Sequence, residues 1–365
     1  DRLRADRDLI AALPRGMSRA LNKLDLDGPF NLSGWFGVAH SGRDGDATTA
    51  RWDVRLNTMQ GRMQPGLELR DINGGIRLSG GWDGTNLATR GWLELDSVSF
   101  KDLHFTQVRG PLWITNQEVL FGAWATTPVA GEAPPRITAV SYGGEVAADG
   151  RILLDDIPRY ALQASVSNGD LQQFAKENGA GGSELRGRVF GTIQLQGAGK
   201  GTHSLTGAGS VRLRDATIYE LPLMVSLLKI LSVRTPDSNA FSTSDMSFRI
   251  AGEHVYFDQM NFYGDAVSLL GKGEVGLDKN MKMVFHAVVG NNESQLPVLR
   301  PLLGLAGQQL LLIYVDGPLN NPRTTKEALP GVRRAVEDLQ GVPPAAAGSP
   351  SLLRQAERGI KGIFQ

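Results

Sequence analysis

Apolar and polar residues alternate with a period of two through most of this chain. Trp52, Val54 and Leu56 alternate, as do Leu93 and Leu95. Val267, Leu269, Gly271, Gly273, Val275 and Leu277 recur at every second position. Met281, Met283, Phe285, Ala287 and Val289 repeat the pattern after the turn Leu277-Asp278-Lys279-Asn280. Alternation of this kind marks strands with one buried face. Phe248 to Phe257 alternates around a tight turn, and Val189 to Leu195, Leu205 to Leu213 and Tyr160 to Val166 read as further strands. Val140 to Ala148 reads as one strand with a bend at Tyr142-Gly143-Gly144. Ile72-Asn73-Gly74-Gly75-Ile76 reads as a turn between two strands, and residues 125 to 139, with Pro128, Pro134 and Pro135, as a loop.

Few stretches carry the 3.6-residue period instead. Residues 1–24 read as helical. A short helix is expected at Leu171 to Lys176 after the cap Asn168-Gly169-Asp170. Ile218 to Leu231, within D-A-T-I-Y-E-L-P-L-M-V-S-L-L-K-I-L-S, is an apolar helix set among strands. Residues 341–350 read as a linker. Leu352, Leu353, Ala356, Ile360, Ile363 and Phe364 then share one face of an amphipathic C-terminal helix, suited to docking or to a partner.

An antiparallel sheet with one apolar face and few helices buries that face by curling, by stacking as a sandwich, or against a ligand. Forty-five glycines spread through the strands of this 365-residue chain favour bending. We therefore expect a mainly β protein: a long curved antiparallel sheet forming a U-shaped, taco-like groove, with a few short helices. The expected divisions are an N-terminal helical segment (1–24), a curved sheet region (25–184), a C-terminal β region holding the helix 218–231 (185–330), and a linker with the terminal helix (331–365).

Composition narrows the function more than it names it. Net charge is zero, so nothing points to nucleic acid. Without cysteine there are no disulfides and no thiolate metal sites. No apolar run is long enough to span a bilayer. Asp1 rather than Met opens the chain, and we expect a signal or anchor ahead of it. Gly271-Lys272-Gly273-Glu274-Val275-Gly276 fits G-x-G-x-x-G, but it lies inside a strand and lacks the following helix that would hold a pyrophosphate. It reads as bends in a strand. Gly199-Lys200 lacks the Ser or Thr of a P-loop, and the five histidines show no metal-ligand spacing. No carboxylate pair or nucleophile elbow stands out, so no enzyme, no cofactor and no metal is expected.

Several stretches resemble the C-terminal region of AsmA-like proteins. They are Asp215-Ala216-Thr217-Ile218 with Leu221-Pro222-Leu223, Ile250-Ala251-Gly252-Glu253-His254-Val255, Leu270 to Asp278, and the close Val315-Asp316-Gly317-Pro318-Leu319-Asn320-Asn321-Pro322. The resemblance covers about residues 185–330. It implies a diderm envelope protein, anchored in the inner membrane and lying in the periplasm, similar to the bridge-like lipid transporters that include TamB-type proteins. No catalytic residue comes with it. The implied partners are phospholipid or another acyl lipid, a membrane at one or both ends, and an envelope protein.

Residue pattern and resemblance converge on a trough for acyl chains. Period two alone selects its lining: Val211, Leu213, Phe248, Ile250, Val255, Phe257, Val267, Leu269, Val275, Leu277, Met281, Met283 and Phe285. About 20 strands at ~4.8 Å would make a trough of roughly 95 Å. The rival reading is a scaffold for outer-membrane protein assembly that pairs a sheet edge with a client strand.

Overall fold

The computed structural model describes residues 2–4, 27–40, 48–64, 68–101, 103–178, 185–219, 221–231, 241, 243–264, 267–289 and 309–328. Except for Arg2–Arg4, the expected helix 1–24 lies outside these residues, as do the linker and the C-terminal helix.

Strands dominate, in the order β1 (Arg2–Arg4), β2 (Pro29–Ala39), β3 (Thr49–Met63), β4 (Leu69–Trp82), β5 (Leu87–Phe100), β6 (Leu103–Thr115), β7 (Glu118–Phe121), β8 (Ile137–Ser141) and β9 (Gly144–Leu153). Then come β10 (Arg159–Asp170), β11 (Arg186–Ala198), β12 (Thr206–Thr217), β13 (Thr243–Ala251), β14 (His254–Tyr263), β15 (Val267–Gly276), β16 (Asn280–Val289), β17 (Gln309–Pro318) and β18 (Arg323–Ala328). Each strand pairs antiparallel with the next in sequence, with one local exception. β7 and β8 lie end to end in a single rank between β6 and β9, because both pair with those two neighbours. The result is one meander of 17 ranks, about 77 Å across at ~4.8 Å per spacing. β10 and β11 pair along their length, so the ladder runs unbroken past residue 184.

Three expectations need correction. Arg2–Arg4 forms a strand against Pro29–Asn31, not the start of a helix. Ile72 to Ile76 is no turn, since β4 runs straight through it. Asn73 sits at a bulge, and Gly74, at φ +118°, absorbs the irregularity. Val140 to Ala148 is two strands, a β8–β9 hairpin turning at Tyr142 and Gly143, both at positive φ.

Two helices interrupt the meander among the described residues. α1 (Leu171–Asn178) starts at Asp170, whose carboxylate accepts from the Gln172 and Gln173 amides. α2 (Pro222–Ile230) starts with Pro222, where a missing N–H costs nothing and the fixed φ suits the first turn. Met224, Leu227, Leu228 and Leu231 then fall on one face and are buried.

The position of α2 demands a curved sheet. Ser226 Oγ donates to Pro322 O at 3.4 Å, at the turn into β18. In a flat sheet Thr217 and Pro322 would stand about 44 Å apart: six spacings of ~4.8 Å across and ten residues of ~3.3 Å along. The chain from Thr217 to Ser226, half of it helical, reaches only about 24 Å. The last seven strands therefore coil around α2, which lies on their concave side.

Candidate functional site

Directly paired residues in an antiparallel ladder point to the same face. Carrying that rule from rank to rank gives one result across β2–β17. Phe30, Leu32 and Phe36 of β2 share a face with Trp52, Val54 and Leu56 of β3 and with Ile76 and Leu78 of β4. The same face continues through Leu93 and Leu112, Val119 and Ile152, Leu162 and Ile193. It then passes through Val211, Phe248, Phe257, Leu269, Phe285 and Ile313. The apolar face is continuous from β2 to β17, and on β18 it ends at Thr324 and Lys326.

Bulges preserve this continuity. Between Thr58 and Gly61, and between Thr106 and Arg109, the strict period of two is broken. Gln60 and Gln107 sit there at φ +58° and +54°. Each inserted residue shifts the parity, and Met63 and Phe105 stay on the apolar face. Without them a slip of one residue would turn the end of the strand inside out.

Glycine shapes the same wall. The face-sharing pairs Gly271–Phe285 and Gly209–Phe248 set an aromatic ring over a bare backbone. A Cβ at Gly271 would collide with the Phe285 ring, and one at Gly209 would come within 2.5 Å of Phe248 Cζ. Gly197 and Tyr160 form a third such pair, in which a Cβ would strike the phenol. The literal G-x-G-x-x-G thus lies within β15, and its first glycine makes room for a ring.

The opposite face is polar. Arg55–Glu94, Arg151–Glu118, Arg212–Asp245 and Arg249–Asp258 are ion pairs there at 2.5–2.7 Å. Exposed pairs of this kind add only tenths of a kcal/mol each. They keep the outer face wet more than they stabilise it. Among the described residues, one outer-face carboxylate is buried. Asp149 accepts from the Ala123 amide (2.7 Å), Arg136 Nε (2.7 Å) and Gln163 Nε2 (3.0 Å), tying the 122–136 excursion onto β9 and β10.

Of the thirteen lining residues expected from the sequence, twelve lie on the apolar face. Leu277 does not belong to the wall: it sits in the turn after β15 and is 43% exposed. The twelve are not equally open. Leu213, Val267, Leu269, Met281, Met283 and Phe285 are buried in a core with Met224, Leu227 and Leu228 of α2, while Val211, Phe257 and Val275 pack against its margin. These nine positions are already covered by protein. Phe248, Ile250 and Val255 stay half-buried outside that core. Sequence reading missed the N-terminal stretch of the wall, including Leu32, Phe36, Leu56, Ile76 and Leu78, although the same alternation marks it.

Among the described residues, Tyr160 sets an ionisable group into the middle of this wall. Burial pushes its phenol above the ordinary value, so it stays neutral, and its hydroxyl has no protein partner. Among the described residues, no group of three or more His, Asp or Glu side chains is placed to hold a metal. No described helix is long and apolar enough to cross a membrane. The arrangement defines a class, a single-layer meander with one unbroken apolar face. Comparison with family models, curated proteins and solved structures finds no match to this chain.

Proposed function

We propose that this chain carries phospholipid acyl chains along its apolar face, as a bridge-like protein in the periplasm of a diderm bacterium. The observation that supports this reading is the apolar face that runs unbroken through the 15 ranks from β2 to β17, backed by a polar face. Tails lie along the face and head groups stay in water. Each buried methylene gains about 0.8 kcal/mol, so one tail binds well without specific contacts. Side chains of similar chemistry in successive ranks let a tail move without meeting a deep trap. The ranks from β2 to β13, about 48 Å across at ~4.8 Å per spacing, exceed the ~30 Å core of a bilayer and suit an aqueous gap. In this reading α2 plugs the C-terminal end, and the passage for lipid is the wall from β2 to β13.

Mass spectrometry of lipid bound to the purified chain tests the proposal. We expect co-purifying phospholipid, and loss of most of it in Leu78→Lys and Ile193→Lys, both half-buried on the open wall. Lipid content unchanged in both folded variants would reject the trough. A chain free of lipid would favour a scaffold for outer-membrane protein assembly, in which a sheet edge pairs with a client strand.

A further inference from the structure

The outer face of β3 to β6 carries a patch that its ion pairs do not balance. Arg55 stands directly opposite Arg77, Arg77 opposite Trp92, and Trp92 opposite Pro111. Residues paired this way share a face with Cβ atoms about 5 Å apart, and like charges so placed destabilise a sheet. Glu94 relieves only one of the arginines. It is the direct partner of Arg109, yet its Oε2 accepts from Arg55 at 2.7 Å. Arg55 reaches it across the bare backbone of Gly75, where a Cβ would sit 3.4 Å from the Arg55 Nε. Arg77 and Arg109 are left without an ion-pair partner among the described residues. Between them lies an open indole, for Trp92 is 41% exposed in the middle of β5. Arg90, two residues before it, lies 5.5 Å over the ring of Trp113, its direct partner on β6. Three guanidinium groups thus surround one flat apolar surface, at a cost to the sheet. A local rule broken without a local gain marks a place where a ligand supplies the gain.

We propose that this patch binds an acidic polysaccharide, with one sugar ring stacked on Trp92 and the anionic groups of the chain on Arg77 and Arg109. An indole face takes the apolar C–H face of a sugar ring as it takes other flat apolar groups. Guanidinium forks match the paired oxygens of a carboxylate or a sulfate. Arg77 and Arg109 belong to the strands on either side of Trp92, two ranks or ~9.6 Å apart across the sheet. The patch therefore calls for sparse charges with a ring between them, as in a chain of acidic sugars. A nucleic acid carries a phosphate on every nucleotide and draws on a broad positive field, which a chain of zero net charge does not supply. An anionic bilayer would press against Asp53 and Glu94, which share this face. The inference does not rest on the lipid reading, which uses the opposite face.

The test titrates the full chain with oligogalacturonate and with dextran sulfate by calorimetry. Binding is expected, and it should weaken as salt rises. Trp92→Ala should weaken it at least about tenfold, and Arg77→Gln and Arg109→Gln about threefold each. Trp92→Phe keeps a flat ring and should retain most of the affinity. Arg249→Gln, also on the outer face but with its guanidinium held by Asp258, should bind like the parent chain. Failure of both sugars to bind overturns the proposal. So does Trp92→Ala binding as tightly as the parent. Equal or tighter binding of polyglutamate, of poly-dT or of phosphatidylglycerol vesicles overturns it too, in favour of an acidic peptide, a nucleic acid or a membrane.

Discussion

From β12 to β18 the apolar face is closed by the protein's own helix. From β2 to β6 it is built of the same kinds of residue, but no described helix lies on it. The difference shows in Phe285 and Leu78. Both point to the apolar face from mid-strand, yet Phe285 is fully buried and Leu78 only half-buried. Alternation decides which face a side chain takes. What covers that face decides whether it is core or surface. A continuous wall is thus sealed by a helix at one end and left partly open, as at Leu78, at the other.

The largest expected effect tests that division directly. Phe285→Ala should destabilise the chain by about 3–5 kcal/mol, the usual cost of removing a buried ring. Leu78→Ala should cost roughly 1–2 kcal/mol, the share left to a half-buried side chain. Equal losses in chemical denaturation would erase the contrast between the two ends.

A smaller effect sharpens the role of the glycine–ring pairs. Gly271→Ala forces its new methyl into the Phe285 ring and should cost about 1–3 kcal/mol as overpacking. The double variant Gly271→Ala with Phe285→Leu should recover part of that loss. Additive losses in the two would show that the ring does not depend on the bare backbone beneath it.

The smallest effect belongs to the polar face. The hydrogen bond from Arg249 holds the Asp258 carboxyl below its ordinary value, against an opposing push from burial. The pair's contribution is therefore present above the unfolded carboxyl value and is lost as pH falls through the lower folded value, below about pH 4. Solvent screening limits it to a few tenths of a kcal/mol. In Arg249→Ala the Asp258 titration, followed by NMR, should move back up. An unmoved titration would show that the pair is not formed in solution.

Much of this was legible in the alternation. Period two placed Val211, Phe248, Leu269 and Phe285 on one face, and the apolar run after Pro222 marked α2 to within a few residues. The misreadings have physical causes. Gly74 and Gly75 look like turn residues, yet a central strand accommodates them when a bulge absorbs the strain. Gln60 and Gln107 shift parity by one, which no fixed period anticipates. Leu277 keeps the alternation of β15 for one residue after the ladder has ended. The covering of Leu269 and Met283 by α2 depends on how far the sheet coils, a property of the whole array that no short window of residues contains.

The meander has a further consequence for how the chain reaches this state. Almost every contact joins neighbours in sequence, so each hairpin can close before the next is complete. The packing of α2 on strands as far as β17, with the Ser226–Pro322 contact across 96 residues, is the long-range exception among the described residues. Hairpins should then zip in succession at rates set by local loop closure, as in a linear array of repeats. Docking of α2 against β18 would be the late, slow event, turning a row of hairpins into a cooperative unit at one end. The other end would be left free to open by one strand at a time.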